Sequence, residues 1–217
     1  MAFRGQQSPT DGGSEFNALC FLVQQLLGKA NTASLVKVVA VTNTGDLSPV
    51  GFVDILPLVN QVDGNGNATP HGIIHNVPYL RIQGGANAVI LDPQVGDIGP
   101  AVFADHDINS VKANRAQSNP GSGRRFAMAD AMYFGGMLNG VPTQYVQFNT
   151  AGITLHSPTK INIEAPTIEI VGNVVGHGGA VFDDDVVADG ISVSTHNHNV
   201  PNVQSGGSTI PTTDPLP

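Results

Sequence analysis

The sequence predicts an all-β protein with one N-terminal helix: a small five-stranded barrel, then a string of short strands with narrow apolar faces. Three observations carry this expectation. Glycine (26) and proline (15) are frequent enough to divide the 217 residues into many short elements. Helical periodicity occurs once, between Ser14 and Gly28. From residue 143 onward apolar and polar residues alternate at period two, but each run carries an apolar stripe only two residues wide.

Residues 1–33 hold a polar, Gly-rich arm and then the helix. Phe16, Leu19, Cys20, Val23, Leu26 and Leu27 follow i, i+3, i+4, i+7 spacing, with Ser14 as N-cap and Gly28 as the stop. The helix is expected to pack on its own chain, with Cys20 buried in that packing. A single cysteine excludes an intrachain disulfide.

Residues 34–105 contain SLVKVVAVT, VGFVDILPLV, IIHNVPYLRI, NAVILD and DIGPAVFA, β-rich runs separated by Gly, Asn, Asp or Pro clusters. Five such strands in this span suit a barrel of the OB type. Residues 106–142 lose periodicity and read as a linker loop. The loop carries Lys112, Arg115, Arg124 and Arg125, four of the nine basic residues, for which ion pairs between subunits are expected. Residues 143–195 alternate again, in QYVQFNTAGITLHS, KINIEA, TIEIVG and ISVSTHNH. Their stripes, Ile153/Leu155, Ile161/Ile163 and Ile168/Ile170, are too thin to build a core alone, so they must be buried against copies of the chain. Residues 196–217 close the chain, and from Asn199 they are rich in Pro, Ser and Thr and contain no strand pattern.

Charge and segment composition exclude several functions. The formal net charge is −8, against the concentrated basic surface that nucleic-acid binding needs. No basic region joined to an apolar run marks a secretory signal, and no apolar run reaches membrane-spanning length. A soluble protein made in the cytoplasm is the expectation.

Most chemistry-bearing clusters have an ordinary reading. DGNGNATPHGII (63–74) begins like a calcium loop, but Ala68 and Ile74 stand where Gly and Glu are needed, so a hairpin turn is expected. His71 and His75 read as surface histidines. Asp105, His106 and Asp107 lack a nucleophile or third oriented group and read as a solvated loop. Asp183–Asp185 read as a solvated turn rather than a calcium site. No catalytic set emerges, so the protein is not expected to be an enzyme.

His196 and His198 are different. On a strand they point to one face. A single-chain metal enzyme of the cupin kind would need a carboxylate and another histidine soon after, and Asn199–Pro211 contains neither. The contiguous letters HNH do not make a nuclease, whose motif scatters those residues. If three chains meet on a threefold axis, their histidines supply six neutral nitrogens in an octahedron. That geometry suits iron, with nickel or cobalt able to compete, and suits tetrahedral zinc poorly.

The helix and barrel, VGDIGPAVFADHDI (95–108), NPGSGRRFAMADAMYFGGM (119–137) and ADGISVSTHNHNVP (188–201) together resemble the central spike proteins of contractile-tailed bacteriophages. The resemblance covers nearly the whole chain, and its last stretch is the most specific. It implies a virion protein at the centre of the tail baseplate, a homotrimer that pierces the host outer membrane. It also implies that the barrel attaches to the baseplate hub protein. The shaft would be an intertwined trimeric β-helix ending in an apex where His196 and His198 of three chains hold one iron ion. Strict alternation places these histidines on the face opposite Ile191 and Val193. Either the strand shifts register near Ser194–Thr195, or the interior of the apex is polar. The competing reading is a host-surface glycan-binding trimeric fibre. Such a binder needs exposed aromatics, and residues 150–217 offer only Phe182.

Overall fold

A computed structural model of the chain describes residues 12–43, 47, 51–63 and 65–196. The chain divides into two units, Met1–Pro158 and Thr159–Pro217. Among the described residues, no helix is long and apolar enough to cross a membrane.

The first unit opens with α1 (Glu15–Leu27), capped as its sequence requires. Ser14 is extended (φ −160°) and its Oγ accepts from Asn17 N–H at 3.2 Å, and Gly28 ends the helix. The expected packing on its own chain is not found. No α1 residue is buried; Phe16 is 72% exposed and Cys20 only half-buried. The barrel core is assembled from strands alone and takes nothing from α1.

The barrel strands are β1 (Ala33–Val41) and β2 (Phe52–Pro57), then, beyond a small hairpin of β3 (Gln61–Val62) and β4 (Ala68–Thr69), β5 (Ile74–Pro78). A second hairpin follows, β6 (Ile82–Gly84) with β7 (Asn87–Val89), and then β8 (Ile98–Phe103). The short helix α2 (Asn109–Asn114) and a 3-10 turn (Met128–Asp130) precede β9 (Ala131–Tyr133). The five-stranded sheet runs β5-β2-β1-β8-β9. A parallel bridge between Tyr79 and Tyr133, with Leu80 N–H donating to the Tyr133 carbonyl at 2.8 Å, brings its two edges together into a nearly closed barrel.

Alternation builds the core. In β2 and β8 every second residue is buried, so Val53, Ile55, Ala101 and Phe103 face inward to meet Val36, Val38, Val77, Ala131 and Tyr133. The β1–β2 register shifts between Val38 and Ala40, a bulge that bends β1 as closure demands.

Two expectations change here. NAVILD is not a barrel strand: its start pairs with Ile82–Gly84 across a two-residue turn, with Gly85 at φ +58° in the first central position. The closing strand comes instead from Ala131–Tyr133, inside the segment expected to be a linker loop. Its fit depends on Gly99. A Cβ there would collide with the Gly135 carbonyl oxygen and come within 2.9 Å of the Tyr133 hydroxyl. Gly99→Ala is therefore expected to cost about 1–3 kcal/mol through overpacking, read as a lower urea midpoint at unchanged slope.

The hairpin of β10 (Tyr145–Asn149) and β11 (Gly152–His156) ends the unit, with every strand residue exposed and Tyr145 stacked on His156 at 5.1 Å.

In the second unit the only strands among the described residues are β12 (Val187–Ala188) and β13 (Ile191–Ser192). KINIEA and TIEIVG, expected as strands, form no ladder among the described residues. A strand exists through hydrogen bonds to a neighbour, and the described residues of one chain provide these segments with none.

Candidate metal centre

The β12–β13 hairpin sets the position of His196. Asp189 and Gly190 occupy its two-residue turn at φ +50° and +78°, the paired positive values of a type I′ turn. Val193 N–H then donates to the Val186 carbonyl at 2.8 Å. Beyond it the chain leaves strand geometry and turns through Val193–Thr195. Ser192 Oγ organises this turn, accepting from Thr195 N–H at 2.9 Å and from the Thr195 hydroxyl at 2.7 Å.

Asp185 braces the turn from the other side. Its carboxylate takes the Ser194 N–H at 3.0 Å. The Ser192 hydroxyl, the Ser194 amide and the Ser194 hydroxyl together hold its pKa down to about 2. The expected solvated turn holds Asp185 exposed, and Asp185 is also the acceptor that fixes the approach to His196. Nothing in the DDD triplet marks which acid does this, because the donors lie seven and nine residues downstream.

The break at Val193–Thr195 ends strict alternation before His196, which therefore does not inherit the face opposite Ile191 and Val193. Its Nδ1 lies 3.1 Å from the Ser192 carbonyl oxygen and 3.0 Å from that of Val193. Carbonyls only accept, so Nδ1 carries a proton directed at them. This is the arrangement of metal-ligating histidines, whose second nitrogen donates to a carbonyl or carboxylate and fixes the tautomer. The donor chemistry at His196 fits a metal ligand. His198 lies outside the described residues. Among the described residues of one chain, no group of three or more His, Cys, Asp or Glu side chains could hold a metal ion.

The other clusters resolve as structural groups. Asp63 accepts from Asn65 N–H, Asn67 N–H and Asn67 Nδ2 at 2.8–3.0 Å, building the β3–β4 turn. His75 pairs with Asp54 at 2.7 Å, and the Asn76 amide and His75 together hold the Asp54 carboxyl below its ordinary pKa. His106 pairs with Asp105 at 2.8 Å, both exposed.

Asp107 departs from its expectation. It is buried, not solvated, and Arg124 bridges it to the fully buried Asp130: Nη2 lies 2.9 Å from Asp107 Oδ1, and Nε lies 2.7 Å from Asp130 Oδ2. Arg124, expected to pair between subunits, is thus satisfied within its own chain. Asp130 had no signal in the sequence. No protein-family model matches this chain, and no curated protein matches it significantly.

Proposed function

We propose that this chain forms the homotrimeric central spike of a contractile bacteriophage tail, a non-enzymatic body that pierces the host outer membrane. The observation that carries the reading is that no described residue of the second unit is buried. Ile161, Ile163, Ile168 and Ile170 are 47–68% exposed, and the segments bearing them have no ladder partner among the described residues. Alternating segments of this kind reach burial and hydrogen bonding together only when copies of the chain wind around one another. Three interwoven copies would make a β-helical shaft whose strand edges are mutually paired, leaving little to peel apart under force.

The barrel supports the same reading. Taken in chain order, its five strands run third, second, first, fourth, fifth, with the third and fifth bridged in parallel. A five-stranded, partly open Greek-key barrel is of the OB type. In a spike it would attach to the baseplate hub. At the proposed apex His196 and His198 of three chains would hold one iron ion. When bound, the metal cross-links three chain ends that would otherwise fray. The chain's own contribution is the Asp185–Ser192 brace and the carbonyls that orient His196.

The test is mass and metal measured together. Sedimentation equilibrium should give three chains per particle, and elemental analysis one iron ion per three chains. Replacing His196 and His198 by Ala should remove the metal and leave the trimer mass unchanged. Antibodies to the chain should decorate the distal end of the tail in purified phage. A metal-loaded double variant sinks the proposed ligands, and a folded monomer at micromolar concentration sinks the spike.

A further inference from the structure

Three of the chain's nine basic residues line one cleft of about 190 Å³ on the barrel, where β2 and β5 meet α2. In a chain of net charge −8 this is an unusual concentration of positive charge. The cleft is built rather than incidental. Its wall is the Tyr79 ring, which fills the space a Cβ at Gly51 would need. Asp92 accepts from the Tyr79 hydroxyl at 2.6 Å and pairs with Arg81 at 2.7 Å, with both charged side chains nearly buried. Arg81 is thereby neutralised and serves as scaffold.

Lys112 and Arg115 remain, on the last turn and C-cap of α2. Lys112 Nζ donates to the Asn76 carbonyl at 3.2 Å, which uses one of its three protons. Desolvation lowers the pKa of this ammonium, although Asp130 and Asp107 partly offset the effect. An incoming negative charge would relieve that cost. Arg115 is held in the left-handed region (φ 51°) by the cap, and its guanidinium has no ion-pair partner among the described residues.

We propose that this cleft binds a carboxylate side chain from an acidic segment of a partner polypeptide, with Lys112 and Arg115 as the charged contacts. The neighbouring groups select the class. Phe52, Pro78 and Tyr79 give an apolar wall for a side-chain stem, and Gln83 gives a polar rim. The Arg81–Asp92 pair is neutral as a unit, so Lys112 and Arg115 set the charge that an incoming side chain meets. A cleft of about 190 Å³ has room for one side chain. The proposal does not depend on the spike reading.

The experiment uses the full-length protein and fluorescein-labelled hexaglutamate, with hexaglutamine as the uncharged probe, in about 0.1 M salt where long-range attraction is screened. Hexaglutamate is expected to bind about tenfold more tightly or better than hexaglutamine. Lys112→Met with Arg115→Gln should weaken it by about tenfold or more, as loss of charge-assisted hydrogen bonds predicts. Arg125→Gln, outside the cleft, should change affinity by less than about twofold. Should the paired variant misfold by circular dichroism, the single Arg115→Glu change at the exposed position is read instead and must abolish binding. Equal binding of the two peptides overturns the proposal, as does an equal loss in Arg125→Gln. Inorganic phosphate binding that is lost in the paired variant, without discrimination between peptides, overturns the carboxylate assignment.

Discussion

Replacing Arg124 with alanine is expected to destabilise the barrel by about 3–5 kcal/mol, the cost of stranding buried charge. Asp130 is fully buried and the Asp107 side chain is 3% exposed, whereas Arg124 is about one-third exposed. The guanidinium is the only cation within ion-pair distance of either carboxylate among the described residues. Removing it leaves two acids facing each other in low dielectric. Other donors remain, since Ile108 N–H reaches Asp130 at 3.1 Å and Asn109 N–H and the Ser122 hydroxyl reach Asp107 at 2.9 and 2.8 Å. They donate hydrogen bonds without supplying charge.

Arg124→Lys should recover only part of the loss, because one ammonium cannot span both carboxylates as the fork does. Neutralising all three members together should cost less than Arg124→Ala alone. Urea unfolding checks each variant, and a loss under about 1 kcal/mol for Arg124→Ala refutes the account.

The acid dependence has a defined sign. The Asn109 amide, the Ser122 hydroxyl and Arg124 hold the Asp107 carboxyl below its ordinary 3.8. A depressed carboxylate contributes stability above its unfolded pKa and loses it as pH falls through the folded value. The wild type should therefore weaken as pH drops below about 4, and a variant without Asp107 should weaken less.

This triad also marks where sequence reading stops. The α1 helix is legible because its cues are local: Ser14, a 3.6-residue stripe and Gly28 lie within one short window. Strands β2 and β8 are legible because their alternation runs for six residues. Strand β9 has three residues, too few to show a period, and is defined by pairing with Ala101–Phe103 some thirty residues earlier. Asp107 looked solvated because its burial depends on Arg124 and Asp130, which share no local pattern with it. At the candidate metal centre, the Asp189–Gly190 turn is readable from its dipeptide, but the hydroxyl network at Ser192 is not. That network ends the strand before His196, where alternation alone would continue it.

In the proposed trimer, replacing Ile161, Ile163, Ile168 and Ile170 together by aspartate is expected to reduce the particle from three chains to one while leaving the barrel folded. Burying one such side chain contributes roughly 2 kcal/mol, so twelve of them in a trimer supply on the order of 20 kcal/mol of gross association free energy. Forming a trimer from three chains must offset two losses of translational and rotational freedom, each about 4–15 kcal/mol. In the proposed trimer the stripes supply a term of the same order as that cost, and aspartate adds the cost of placing charge in the same space. The barrel should not follow, because its core cluster of nine buried residues contains none from the second unit. Sedimentation equilibrium at micromolar chain concentration reads the first effect, and the urea midpoint of the barrel reads the second. A four-aspartate variant that keeps its trimer mass would mean that the stripes face solvent in the assembly. The exposed isoleucines of the single chain would then need another explanation.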